Sequence, residues 1–279
     1  MEAGQPSRTA FGAALHRAAH QLLDSPLVLV DPLAVRIVGA EAAEALRTRS
    51  HAHVVRTALR AFIVARSRFT EDSFVTAYER GVRQYVVLGA GLDTFAYRAP
   101  SEGLRVYEVD HPTTQAWRRE LLARAGISEP VSLTFVPVDF EREALRDKLA
   151  AWGFDAARPA FFAWLGVTPY LTREAILKTL GLVATLARGS EIVFDYAEPA
   201  ENLSPLEEAA RHALAERVAL AGEPFQPGLR PDELASDLRR LGYSVMEDFT
   251  SGPLNERYFA GRSDGFELRG RSHVMRAMV

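Results

Sequence analysis

The first apolar positions recur at helical spacing: Phe11, Leu15, Ala18 or Ala19 and Leu22 fall on one face. Asp31-Pro32 reads as a helix cap followed by proline in the first turn. The pattern predicts two more helical stretches, about Arg49 to Ser67 and Glu71 to Arg80, the second stopped by Gly81. At Gln84 the period changes. QYVVLGAG is a continuous apolar run ending in glycines, as in a buried strand that enters a tight turn. LRVYEVD (104–110), VSLTFVPVD (131–139), PAFFAWLGV (159–167) and SEIVFDY (190–196) read as four further strands. Between them lie predicted helices: one from Pro112 to about Ala125, one carrying Phe140, Leu145 and Leu149, and one capped by Thr172 with Ile176, Leu180, Val183 and Ala187 on its apolar face. Strands alternating with helices of this length predict an α/β fold whose parallel sheet is covered on both faces.

After Tyr196 the alternation breaks. Ser204-Pro205-Leu206-Glu207 fits a capping box with proline at its first helical position, and the helix it opens is predicted to reach about Ala221. The Pro- and Gly-containing flanks mark residues 198–230 as an insertion, either a lid or an extra surface helix. PDELASDLRRLGYSV reads as a helix and then a strand, and Tyr258-Phe259 with residues 272–277 is predicted to close the sheet as an antiparallel edge. The expected organisation is an N-terminal helical cap over residues 1–81 and a core over 82–279.

With 279 residues, 48% of them hydrophobic, the chain can bury a full-sized core. The net charge of -3 points neither to nucleic acid nor to anionic lipid. The absence of cysteine excludes disulfides, thiolate metal ligands and a cysteine nucleophile. Apolar runs fall short of the roughly 20 residues that a membrane helix needs, and the N-terminus lacks a secretory pattern. The expectation is a cytoplasmic protein without nucleic-acid or membrane partners. The amphipathic first helix can cover its own core or a second copy, so a homo-oligomer stays open.

The strongest chemical signal is Leu88-Gly89-Ala90-Gly91-Leu92-Asp93-Thr94 after the first strand. Glycines there let a ligand approach the backbone. Glu108 and Asp110 end the next strand, where a carboxylate can accept hydrogen bonds from ribose hydroxyls. Glu108 is the ribose candidate, and Asp110 is read as a cap for the next helix. Asp139 follows the third strand and is a candidate for an adenine amino group, or simply a helix cap. A dinucleotide fingerprint would place a third glycine near Phe95-Ala96, and Asp93 would repel a pyrophosphate. S-adenosyl-L-methionine carries no phosphate, and Asp93 can face its ammonium. This favours the methyl donor over NAD.

The run LGAGLDTFAYR followed by VYEVDHP, with Asp31-Pro32-Leu33-Ala34, Ala65-Arg66-Ser67-Arg68-Phe69, FVPVDF and WLGVTPYL, resembles the bacterial branch of the leucine carboxyl methyltransferase family over nearly the whole chain. The resemblance implies a Rossmann-like fold with a mostly parallel seven-stranded sheet, N-terminal helices and a helical lid. It also implies S-adenosyl-L-methionine as cofactor, Arg66 on the donor's carboxylate, and the turn Gly89, Ala90, Gly91 with Asp93, Glu108, Asp139 and Phe140 around the rest. Where eukaryotic members and part of the bacterial branch have a glutamate before the position of Gly166, this chain has Leu165.

Methyl transfer is an in-line displacement, so alignment matters more than a covalent intermediate. An acceptor carboxylate is already ionised at neutral pH; Arg98 and Tyr170, near predicted strand ends, are candidates to position it. A hydroxyl acceptor would use a base, for which His16 is the candidate. The leading expectation is an O-methyltransferase acting on a small aromatic or polyketide-like acceptor. The competing readings are a non-catalytic binding protein on a degenerate methyltransferase fold and an NAD-linked oxidoreductase.

Overall fold

The computed structural model describes residues 7–48, 57–98, 102–139, 142–199, 212, 215–216 and 224–279. The N-terminal region supplies α1 (Arg8–Leu23), α2 (Pro32–Val38), α3 (Ala40–Arg47) and α4 (Thr57–Glu79). Their starts follow the local chemistry. Ser7 accepts from the Ala10 amide at 3.2 Å, and Asp31 caps α2 by accepting from the Ala34 amide at 3.1 Å. The two predicted helices around Ser67 are one continuous α4. Its polar residues do not break it, because the Ser67, Thr70 and Ser73 hydroxyls donate back to the carbonyls of Ile63, Arg66 and Phe69. Residues 49–56, where the earlier start was expected, lie outside the described residues.

The core alternates as expected: β1 (Gln84–Leu88), α5 (Phe95–Arg98), β2 (Arg105–Asp110), α6 (Pro112–Arg124), β3 (Leu133–Pro137), α7 (Leu145–Ala151), β4 (Phe161–Trp164), α8 (Arg173–Ala184) and β5 (Glu191–Ala197). Then come α9 (Pro231–Leu241), β6 (Val245–Phe249), α10 (Ser251–Tyr258) and β7 (Ser272–Met278). The seven strands lie in the order β3-β2-β1-β4-β5-β7-β6. Strands β1 to β5 are parallel, and β7 runs antiparallel to both β5 and β6. Tyr258 ends α10 rather than forming an edge strand. That helix buries Leu254 completely, and the Tyr258 hydroxyl donates to Asp72 at 2.9 Å. The expected lid over 198–230 falls largely outside the described residues.

Helices cover both faces of the sheet. On one face, Phe62, Phe69 and Phe74 of α4 pack with Tyr85, Phe95 and Phe161; the Tyr85 and Phe95 rings stack at 4.1 Å. On the other, Ile176, Leu180 and Leu238 pack with Val86, Phe162 and Phe194. A third cluster joins Ala14, Ala18 and Ile37 to Leu92, which places α1 and α2 directly against the turn after β1.

Candidate functional site

The strand order reverses between β1 and β4, which opens a crevice at their carboxyl ends. Gly89 and Gly91 turn the chain there, with φ of 67° and 49°. The Gly89 and Ala90 amides donate to the Val109 carbonyl at 2.8 and 3.1 Å, and the Gly91 amide donates to Asp110 Oδ2 at 2.6 Å. The other Asp110 oxygen accepts from the His111 amide at 2.7 Å. A β-carbon on Gly91 would lie 2.9 Å from the Ala10 side chain, so α1 presses directly on this loop.

Below the loop lies a buried arginine–carboxyl contact. Arg118 of α6 donates to the carbonyls of Gly91 and Asp93 and, at 2.6 Å, to Glu108 Oε1. Glu108 is 0% exposed; Oε2 of Glu108 and Nε of Arg118 have no partner among the described residues. Burial pushes the Glu108 carboxyl up to about 8, opposed by Arg118 and assisted by Asp93 and Asp110. Burial also raises the Asp110 carboxyl, against the two amides that it holds. Arg118 was not singled out from the sequence, yet a signal was there. Thr114, Gln115, Arg118 and Leu122 form the buried stripe of α6, and an arginine at that spacing needs a buried acid.

Across the crevice, Arg66 of α4 donates through Nη1 to Asp195 Oδ2 at 2.7 Å. Asp195 lies near the carboxyl end of β5, one residue beyond Phe194, the register partner of Trp164, and its Oδ1 accepts from the Gly166 amide at 2.6 Å. Gly166 has a φ of 71°, and a β-carbon there would sit 2.7 Å from Arg66 Nη2 and push the guanidinium aside. Leu165 instead packs its side chain into the cluster shared with α4. Asp195 was also missed, although an acid near the carboxyl end of the fifth strand belongs to the same sheet edge as Asp110.

The remaining predicted residues separate into different settings. Asp93 accepts from the Phe95 amide at 2.7 Å and so starts α5. Asp139 opens the turn after β3: its amide donates to Glu143 at 2.9 Å, and its carbonyl accepts from the Arg142 and Glu143 amides. Phe140 lies outside the described residues. Tyr170 closes a short 3-10 turn, Thr168–Tyr170, beyond β4, with its ring 5.4 Å from that of Phe225. His16 is buried in α1, the helix whose Arg17 donates to the Leu92 carbonyl at 2.5 Å.

Arg98 has a structural occupation. It binds Glu71 through both ends of its guanidinium, at 2.5 and 3.3 Å, and also meets Thr94, Val30 and Asp31. An arginine so occupied ties α5 to α4 and α2 and leaves little to offer a substrate. His111 serves as the cap of α6, accepting from the Thr113 amide. Cavities of about 270 and 600 Å³ lie elsewhere, the first between α8 and α9 and the second between α1, α3 and the end of α6. No group of three or more potential ligands among the described residues could hold a metal ion.

A seven-stranded sheet in this order, with a glycine turn and strand-end acids at the reversal, defines the α/β methyltransferase fold. The chain belongs to the leucine carboxyl methyltransferase family, whose profile matches residues 10–184. It is 30% identical over 305 residues to the provisionally named S-adenosyl-L-methionine-dependent methyltransferase YktD of Bacillus subtilis (strain 168), covering 100% of this chain and 99% of that one. A provisionally named S-adenosyl-L-methionine-dependent methyltransferase of Mycolicibacterium paratuberculosis (strain ATCC BAA-968 / K-10) is 31% identical over 259 residues, 84% of this chain and 76% of its own. Among solved structures, a DUF574 family protein from Streptomyces avermitilis superposes with a TM-score of 0.52 at 19% identity, covering 94% of this chain and 99% of its own, and supports the fold. Membership of the family makes this protein a methyltransferase that uses S-adenosyl-L-methionine.

Proposed function

We propose that this protein transfers the methyl group of S-adenosyl-L-methionine to a carboxylate or hydroxyl of a small acceptor, aromatic or polyketide-like, in the cytoplasm. The observation that carries the cofactor assignment is the charge arrangement around the glycine turn. Asp93, Glu108 and Asp110 surround one side of it, and Arg66 stands on the other. The carboxylates of Asp93 and Asp110 disfavour a pyrophosphate. A ribose diol and an amino-acid head, with one carboxylate to meet an arginine, suit them.

The ribose acceptor in this reading is Asp110. It is the last residue of β2 and partly exposed, whereas Glu108 is fully buried and spends one oxygen on Arg118. Glu108 then stiffens the loop from beneath. Arg66 offers the donor's carboxylate its Nε edge, which is buried and has no partner among the described residues. Asp139 and Phe140 remain the proposed adenine neighbours, and Asp93 acts through α5.

When bound, the donor supplies an activated methyl group and leaves as a neutral thioether. The protein's own task is alignment. α1 presses on the glycine loop, which fixes the donor side of the crevice. Tyr170, in the 3-10 turn beyond β4, is proposed to orient the acceptor, and His16 to take a proton where the acceptor is a hydroxyl. A carboxylate acceptor needs no base.

Calorimetric titration with S-adenosylhomocysteine and, in parallel, NAD tests the cofactor site. Saturable binding of the first alone is expected, and binding of NAD alone would overturn the reading. A screen of carboxylic acids and phenols with labelled donor then tests the acceptor. Label transferred to neither class would refute O-methylation of a small molecule.

A further inference from the structure

The contact between Arg66 and Asp195 is the strongest feature of the crevice that the function above leaves unused. Arg66 is 11% exposed and Asp195 3%. The guanidinium is held on two sides, Nη1 by Asp195 and one face by the Phe62 ring at 5.6 Å, and a β-carbon on Gly166 would sit 2.7 Å from Nη2. Nε alone, among its three nitrogens, is buried without a partner among the described residues. Asp195 meanwhile uses its second oxygen on the Gly166 amide, and the Thr168 hydroxyl donates to its carbonyl. One residue near the carboxyl end of β5 thus sets both the turn after β4 and the direction of the arginine.

We infer that Asp195 is the positioning residue of the donor site: it fixes the Arg66 guanidinium so that Nε faces the donor's amino-acid carboxylate. This rests on the donor reading above. The physical reason is the planar fork of arginine, which recognises a carboxylate only from its edges. A free guanidinium would have to be ordered by the ligand, at an entropic cost for a flexible side chain. Asp195 meets that cost in advance. Its position also bears on Leu165. The acid at this end of the crevice comes from β5, not from the residue before Gly166.

The test compares two ligands that share the nucleoside. S-adenosylhomocysteine carries the amino-acid head, and 5′-methylthioadenosine lacks it. Affinities are measured by calorimetry for the wild type, D195N, R66Q and the double variant. D195N is expected to weaken S-adenosylhomocysteine about tenfold, while 5′-methylthioadenosine binding stays within about twofold. The double variant is expected to bind S-adenosylhomocysteine no more weakly than R66Q, because Asp195 acts through Arg66.

Equal losses for both ligands would show a purely structural Asp195 and overturn the inference. So would losses that multiply in the double variant. If D195N does not fold, D195E keeps the buried charge balanced and displaces the contact by one methylene. Unchanged S-adenosylhomocysteine affinity in D195E would then overturn the inference. Wild-type protein that binds neither ligand would overturn the donor reading itself, and this inference with it.

Discussion

A β-carbon on Gly89 would lie 2.5 Å from Cγ2 of Val167, so the turns after β1 and β4 interlock across the crevice. Gly89 also has a φ of 67°, which side chains beyond glycine adopt at a cost of about 1–2 kcal/mol. G89A is therefore expected to lower the melting temperature and to weaken S-adenosylhomocysteine about tenfold. V167A added to it should recover the part due to the clash, since the Val167 Cβ stands 3.6 Å away. The strain at φ should remain. Thermal melts and calorimetry of both variants separate the two contributions; a double variant no better than G89A would exclude the clash.

Arg98 provides the contrasting case of a conspicuous residue whose work is structural. Its paired Glu71 is raised by burial and held down chiefly by Arg98, so R98A would strand a buried acid. Breaking such a pair costs about 3–5 kcal/mol. R98A is expected to lose stability on that order in denaturant unfolding, while the folded variant keeps its S-adenosylhomocysteine affinity within about twofold. A selective loss of acceptor turnover in a fully stable R98A would restore Arg98 to the acceptor site.

Several parts of this arrangement were legible before any coordinates. The sheet strands are near-continuous apolar runs, so five of them could be placed from the period alone, and LGAG followed by EVD marked the crevice. What could not be read were contacts made by residues far apart in the chain. Arg66 and Asp195 are 129 residues apart, and only the β1-β4-β5 adjacency brings them together. The choice between Glu108 and Asp110 was likewise hidden. Both point the same way by parity, and the contact that Arg118 makes with Glu108 alone lies ten residues on, in α6. The two helices predicted on either side of Ser67 are one continuous α4, in which the Ser67 and Thr70 hydroxyls bond to carbonyls four residues back.

Asp110 and Glu108 differ in a way that binding can resolve. D110N removes a charged acceptor from the proposed ribose site and leaves only one oxygen for the Gly91 and His111 amides. A hydrogen bond to a charged group is worth about 1.5–3 kcal/mol, roughly 10- to 100-fold in affinity. D110N should lose that much for S-adenosylhomocysteine, and as much for 5′-methylthioadenosine, which keeps the ribose. E108Q should stay within about threefold for both. The reverse order would return the ribose to Glu108.

The raised Glu108 carboxyl also predicts a pH dependence of stability. Its ordinary value is 4.5 and the folded value is about 8, so between those limits the folded state holds a proton that the unfolded state has released. Stability then falls as pH rises through that window. E108Q removes the titration yet keeps an oxygen for Arg118, and it leaves the raised Asp110 in both proteins to cancel. The gain of E108Q over the wild type should therefore widen from pH 5 to pH 8, by roughly 1 kcal/mol or more, about 2–4 °C in melting temperature. Melts of both proteins across that range check it. A gap that stays constant would mean that Arg118 holds Glu108 ionised throughout, with the ion pair outweighing burial.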